Sequence, residues 1–307
     1  MASGIITQTM VKRGGPSLVM ALNAQSYLQH PWQNLLYVQS VHTRATDVNN
    51  SGQNPDAPLK TLKKAVSLAS TGDVVVVGPR HVETVSAAAE LDFNVPGMTV
   101  IGCGQGSFRP SIGTDSVVGA HWVISANNVR MDRFIIGTFL DAVTKQLSIT
   151  GEDAQLNDFL LYETSLQTLT GILITNNRVR INRFRARQKT AGPVSCIEVG
   201  TGNHGLEISG AKIEGEYSQA AIYVSAAATD LLVANNVIHQ LNGASNKCIE
   251  CAAVASSGSI VENKLRNPTD TSLAHITMGA GCLWQLFDNK VVNNNAETGI
   301  LIGTPSV

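Results

Sequence analysis

With 22 basic and 23 acidic residues among 307, the chain carries a formal net charge of −1, which gives it no basic field for nucleic acid and no polyacidic character. Aromatic residues make up 5%, too few for an extended aromatic strip against sugars. No apolar run reaches the roughly 18 residues of a membrane span, so no membrane partner is expected.

Residues 1–36 share no period with the rest of the chain and read as an N-terminal arm or anchor. Their start lacks a charged segment followed by an apolar core, so no secretory signal is read and folding in the host cytoplasm is expected. Trp32, Leu35, Leu36 and Tyr37 are clustered apolar residues that need a covering surface, which makes them interface candidates for a neighbouring subunit. Residues 37–71 then combine an Asn/Asp/Gly/Pro-rich loop with a helical pattern. Leu59, Leu62, Ala65, Val66 and Ala69 lie on one helical face, with Lys60, Lys63 and Lys64 on the other. Thr71-Gly72-Asp73 stops that helix, and Val74 to Val77 is a β-branched strand.

Residues 72–307 carry one repeat. Ile124, Ile149, Ile174, Val199, Val224, Cys251, Met278 and Ile302 follow one another at 24–27 residues. Two residues before each stands Trp122, Leu147, Ile172, Ile197, Ile222, Ile249, Ile276 or Ile300. Alternation inside each segment and a fixed period between segments indicate stacked parallel strands. The predicted fold is therefore all-β: a single-stranded parallel β-helix with about 25 residues per coil, an N-terminal capping helix and an N-terminal arm. Met131, Leu156, Ile181, Leu206 and Leu231 mark a second strand in each coil. Phe134, Phe159 and Phe184 predict an aromatic ladder, and Asn236, Asn263 and Asn289 a column of chain-turning asparagines. Cys248 and Cys251 form a Cys-x-x-Cys whose members are expected on opposite faces of one strand, as small hydrophobes rather than zinc ligands. The segment after Ile302 is too short for a capping helix, so the last edge is expected to be covered by loops such as 266–272, a sister subunit or another protein.

Asn54 to Pro58, then Thr61-Leu62-Lys63-Lys64-Ala65-Val66, then Gly72-Asp73 followed by four valines, is a run that resembles the opening of right-handed parallel β-helices in the pectate-lyase-like superfamily. The resemblance covers residue 37 to the C-terminus and implies the fold; enzymes, adhesins and phage spikes all share it. Pectate lyases of that superfamily carry a calcium cluster and a catalytic arginine, and no such constellation is found here. The nearest echoes of polygalacturonase motifs, Gly202-Asn203-His204-Gly205 and Arg180-Ile181-Asn182, come in the wrong order.

Outward columns remain. One reads Val123, Ser148, Leu173, Glu198, Tyr223, Glu250, Thr277 and Leu301. Glu198 and Glu250 flank Tyr223 at two strand spacings, roughly 9.6 Å, near the upper end of the separation in inverting glycosidases, about 6.5–9.5 Å. They are the catalytic candidates, with a plain solvated face as the alternative. The next column, from Ser125 through Gly200 to Gly303, is small and uncharged. Arg178, Arg180, Arg183, Arg185 and Arg187 alternate over one coil, as an anion site or as a solvated edge. No cofactor or metal motif is read. Three functions are carried forward. The first is a non-enzymatic structural virion protein of a phage, a homotrimeric capsid decoration or cement protein with a tailspike-like β-helix on the major capsid protein. The alternatives are a tailspike polysaccharide depolymerase and a non-catalytic carbohydrate-binding module that takes a glycan.

Overall fold

The computed structural model describes residues 34–115, 118–138, 143–162, 168–188, 193–241, 247–252, 255–267, 275–279, 281–293 and 302–303. Over this range the chain is a parallel β-solenoid. Strand β1 (Leu35–Val38) is followed by helix α1 (Leu62–Leu68) and by a first full coil of β2 (Val74–Val77), β3 (Val82–Val85) and β4 (Ala88–Asp92). Each later coil repeats these three strands. Among the described residues they stack into a ten-stranded sheet A containing β1 and β2, a nine-stranded sheet B containing β3, and a nine-stranded sheet C containing β4.

The register follows the aliphatic column. In sheet C, Trp122, Leu147, Ile172, Ile197, Ile222, Ile249 and Ile276 are successive partners. All seven are fully buried. Parallel strands stack at about 4.8 Å, so a one-residue slip would turn every rung outward. Sheet A repeats the arrangement with Val100, Met131, Leu156, Ile181 and Ile208 inside. At the corner leading to sheet B, Phe134 and Phe159 lie 5.9 Å apart between ring centroids, and Phe184 is buried in the same column.

The asparagine column turns the chain at that corner. Asn236 Nδ2 donates to Asn263 Oδ1 at 3.0 Å, and Asn263 Nδ2 donates to Asn289 Oδ1 at 2.9 Å. The same oxygens accept backbone N–H groups from Asn236 and Asn263. The residue before each asparagine, Asn235, Glu262 or Asp288, is left-handed with φ of 57°, 54° and 50°. The ladder satisfies buried backbone groups that this kink removes from the sheets.

At the N-terminal end, α1 buries Leu62, Ala65 and Val66 in the core. Its free N–H groups are met from two places. Glu83 accepts from Leu62 and Lys63, and Thr61 Oγ1 caps Lys64 at 3.1 Å. Asp47 in turn accepts from the Lys60 and Thr61 backbone and from the Thr61 hydroxyl.

Several expectations change. The second-strand column does not run through Leu206 and Leu231: Ile181 pairs with Ile208 and Ile208 with Val233, so each leucine sits two residues before its rung, because the coil after Ile181 is longer than the period. Leu35 and Leu36 already belong to the solenoid rather than to an arm ending at 36, because β1 pairs in parallel with β2 from Leu35↔Val74 to Val38↔Val77. Leu36 and Tyr37 are each 3% exposed; Leu36 enters the main core and Tyr37 a smaller cluster with Val74, Val76, Ile101 and Cys103, against which Leu35 packs. Cover for these interface candidates therefore comes from the chain itself, whereas Trp32 lies outside the described residues. Cys248 does not face away from the core: like Cys251 it is fully buried, with its sulfur 3.7 Å from His275 Nδ1. Arg266 and Asn267 belong to a strand of sheet B, Lys264–Asn267, rather than to the expected covering loop, whose other residues, 268–272, lie outside the described residues. At the far end Ile276 pairs with Ile302, so the last rung sits two residues later than the period implied.

Two outcomes are expected. Asn263→Ala removes a shared acceptor from buried donors and should lower the unfolding free energy by about 1–3 kcal/mol in urea titration, while Val48→Ala, at a site 87% exposed, should change it by less than about 0.5 kcal/mol. Burial, with Cys103 adding to it, pushes the Tyr37 hydroxyl from its ordinary 10 up to about 12. Its contribution is thus fully present below pH 10 and lost as pH rises toward 12. Across that interval Tyr37→Phe should lose roughly 1–3 kcal/mol less stability than the parent chain.

Candidate functional site

On sheet C the outward column assembles as its spacing implied: Ser148, Leu173, Glu198, Tyr223, Glu250 and Thr277 are consecutive partners. Glu198 and Glu250 stand one strand either side of Tyr223. They are not free. Thr170 Oγ1 donates to Glu198 Oε2 at 3.2 Å. Lys247 Nζ donates to Glu250 Oε1 at 3.0 Å, and Gln219 Nε2 donates to its Oε2 at 2.5 Å. The Glu250 side chain is only 9% exposed. Burial, followed by the negative charges of Glu250 and Glu198, raises the Tyr223 hydroxyl above its ordinary value. That tyrosine stays protonated at neutral pH, between two glutamates held by Thr170 and Lys247 of the same sheet and by Gln219 from the bend before it.

The small-residue column has a local cause. A Cβ on Gly200 would lie 3.1 Å from Thr175 Cγ2, and one on Gly279 would lie 2.8 Å from the Ala252 carbonyl oxygen. Ser225 Oγ donates to the Val199 carbonyl of the preceding coil at 3.1 Å. The strip is a tightly turning rim where backbones approach. His204 sits on the short strand Asn203–His204, with Nδ1 3.0 Å from Thr229 Oγ1 and 3.4 Å from Asp230. It is a strand residue whose ring is held by the next coil.

The arginine run divides between two sheets. Arg178 bridges Glu152 and Asp153, both at 2.8 Å, and its guanidinium holds the Asp153 carboxyl below the usual range. Arg180 points to Glu207 at 3.8 Å. Arg185 and Arg187, by contrast, project from sheet B.

The exterior of sheet B is the feature that sequence reasoning did not find. Two outward columns run along it in register. One is Val82, Ser111, Ile135, Leu160, Arg185, Lys212, Val237, Lys264 and Lys290. The other includes Gly137, Tyr162, Arg187, Glu214, His239 and Arg266. Six cations thus share one face with Glu214, which lies 3.6 Å from Arg187. At the N-terminal half of this face is a groove of about 730 Å³, floored by Ile135, Gly137 and Leu160, with Tyr162 exposed beside it and Arg185 and Lys212 at its end. A 25-residue register follows the first column from Ile135 through Leu160 to Arg185, but the step from Arg185 to Lys212 is 27 residues and that from Val237 to Lys264 is again 27, so a fixed period loses the basic residues in a linear reading.

Comparison with known proteins returned no matching family model, no matching curated protein and no matching solved structure.

Proposed function

We propose that the chain is a structural, non-enzymatic docking body: a right-handed, tailspike-like β-helix that decorates or cements a phage capsid as a homotrimer seated on the major capsid protein. The observation that carries this reading is the state of Glu250. A glycosidase needs one carboxylic acid to protonate the leaving oxygen and a second carboxylate to activate water or attack. Glu250 instead has each oxygen occupied by a donor, Lys247 from its own strand or Gln219 from the bend just before the neighbouring strand, and a side chain almost closed to solvent. The column that best suited catalysis in the sequence is bonded within the solenoid, which supports contact rather than turnover as the use of its exterior. A stacked rod suits that use, because its outer side chains are fixed in register by the ladder beneath them.

Native mass measurement of the full chain tests the proposal together with an assay for reducing ends released from host surface polysaccharide. The expected result is an assembly of three chains of 32.5 kDa each and no release. A single-chain mass, with sugar release that Glu250→Gln abolishes, would replace it with the depolymerase reading.

A further inference from the structure

The cations of this protein are treated differently on two of its faces. On sheet A and the bends that lead into it they are neutralised: Arg130 meets Asp132 at 2.9 Å, Arg178 meets two carboxylates, and Arg180 faces Glu207. On sheet B, among the described residues, Arg185, Lys212, Lys264, Arg266 and Lys290 have no carboxylate within ion-pairing distance. They are also placed against one another. Arg185 is the direct cross-strand partner of Lys212, and Lys264 of Lys290. Like charges directly opposite in a sheet are destabilising, so this face carries a local cost that a bound anion would relieve. The field is felt by His239, lodged between Glu214 and Arg266, whose imidazole is lowered below its ordinary value by burial and then by Arg266.

We propose that the exterior of sheet B binds an acidic polysaccharide laid along the solenoid axis, with sugar rings on the Ile135–Leu160–Tyr162 shelf and its carboxylate or sulfate groups on Arg185, Lys212, Lys264, Arg266 and Lys290. Geometry and charge select this occupant. Cations one or two coils apart lie roughly 5–10 Å apart, which matches an extended glycan bearing an acid on each sugar or every second sugar. The apolar shelf beside the exposed Tyr162 offers a flat surface for the C–H face of a pyranose. A single-stranded nucleic acid would need successive aromatic platforms for its bases, and among the described residues of these two columns the aromatic rings are Tyr162 and His239, three strand steps apart rather than successive. An extended peptide adds to a sheet by pairing with a free edge, yet the strands beneath this groove are paired on both sides within the stack. The inference deepens the docking reading by naming a ligand class for one face, and it rests on the exterior being a contact surface.

The test is fluorescence anisotropy of the full chain with labelled alginate oligomers. Dextran, oligothymidylate and polyglutamate of matched length serve as comparisons. Alginate should bind, dextran should not, and affinity should fall at least about tenfold as salt rises from about 50 to about 200 mM. Lys212→Glu with Lys264→Glu should weaken alginate binding at least tenfold, and Tyr162→Ala should weaken it several-fold. The control pair Arg44→Glu with Lys60→Glu, exposed positions outside both columns of sheet B that carry the same charge change, should leave it unaltered. Circular dichroism and melting curves establish that all variants fold. No alginate binding, equal binding of dextran, tighter binding of oligothymidylate or polyglutamate, or equal loss in the control pair would overturn the proposal. A monomeric, sugar-cleaving protein that still loses alginate binding with the Lys212/Lys264 pair would refute the virion reading alone. A trimer indifferent to alginate would refute only this inference.

Discussion

Everything in this molecule depends on parallel pairing of each strand with the strand one coil later. That pairing satisfies the backbone polar groups of three sheets at once and brings chemically equivalent side chains into contact down the axis. Inside, the consequence is a continuous apolar column from Trp122 to Ile276, whose burial drives the collapse. At the corner it is the chain of amides through Asn236, Asn263 and Asn289. Outside, the same rule collects charges or small residues into straight files. The interior ladder and the exterior charge pattern are two results of one register.

The two exterior faces use that register in opposite ways. On sheet C, carboxylates and their donors come together, so that Glu250 is bonded by Lys247 of its own strand and by Gln219 at the entry to the neighbouring one. On sheet B, Arg185, Lys212, Lys264 and Lys290 align with too few acids to balance them. Net charge over the whole chain is close to zero, so the contrast arises from placement rather than composition. Coulomb interactions between exposed charges fade over about 8–10 Å in salt, so a concentrated file a few coils long acts locally even on a nearly neutral body.

The sheet C ladder was legible in the sequence because one face alternates and its period repeats. The asparagine and phenylalanine columns were legible for the same reason. What escaped had physical causes. Leu35 to Val38 lacks alternation because Leu36 and Tyr37 are buried on opposite sides of sheet A, so the first strand read as an arm. Cys248 was assigned outward by parity, which fails where a strand bends into the corner between sheets B and C. Both Ile300 and Ile302 suit the last rung, and only pairing with Ile276 distinguishes them. The catalytic candidates were placed correctly on one column, but spacing carries no information about the donors that hold Glu198 and Glu250. The basic face stayed hidden because its members come from strands that the linear reading did not separate.

The account stands on the constancy of that register along the whole axis, and distance measurement between spin labels on sheet B tests it most directly. Val82 and Lys290, both exposed, are joined by eight successive strand pairings. At about 4.8 Å per step, labels at these two positions should lie roughly 38 Å apart, and labels at Arg185 and Lys290, four steps apart, about 19 Å. Separations in that two-to-one ratio are the expected result. A Val82–Lys290 separation no greater than that between Arg185 and Lys290 would contradict the stacked solenoid, and with it every file of side chains described on its surface.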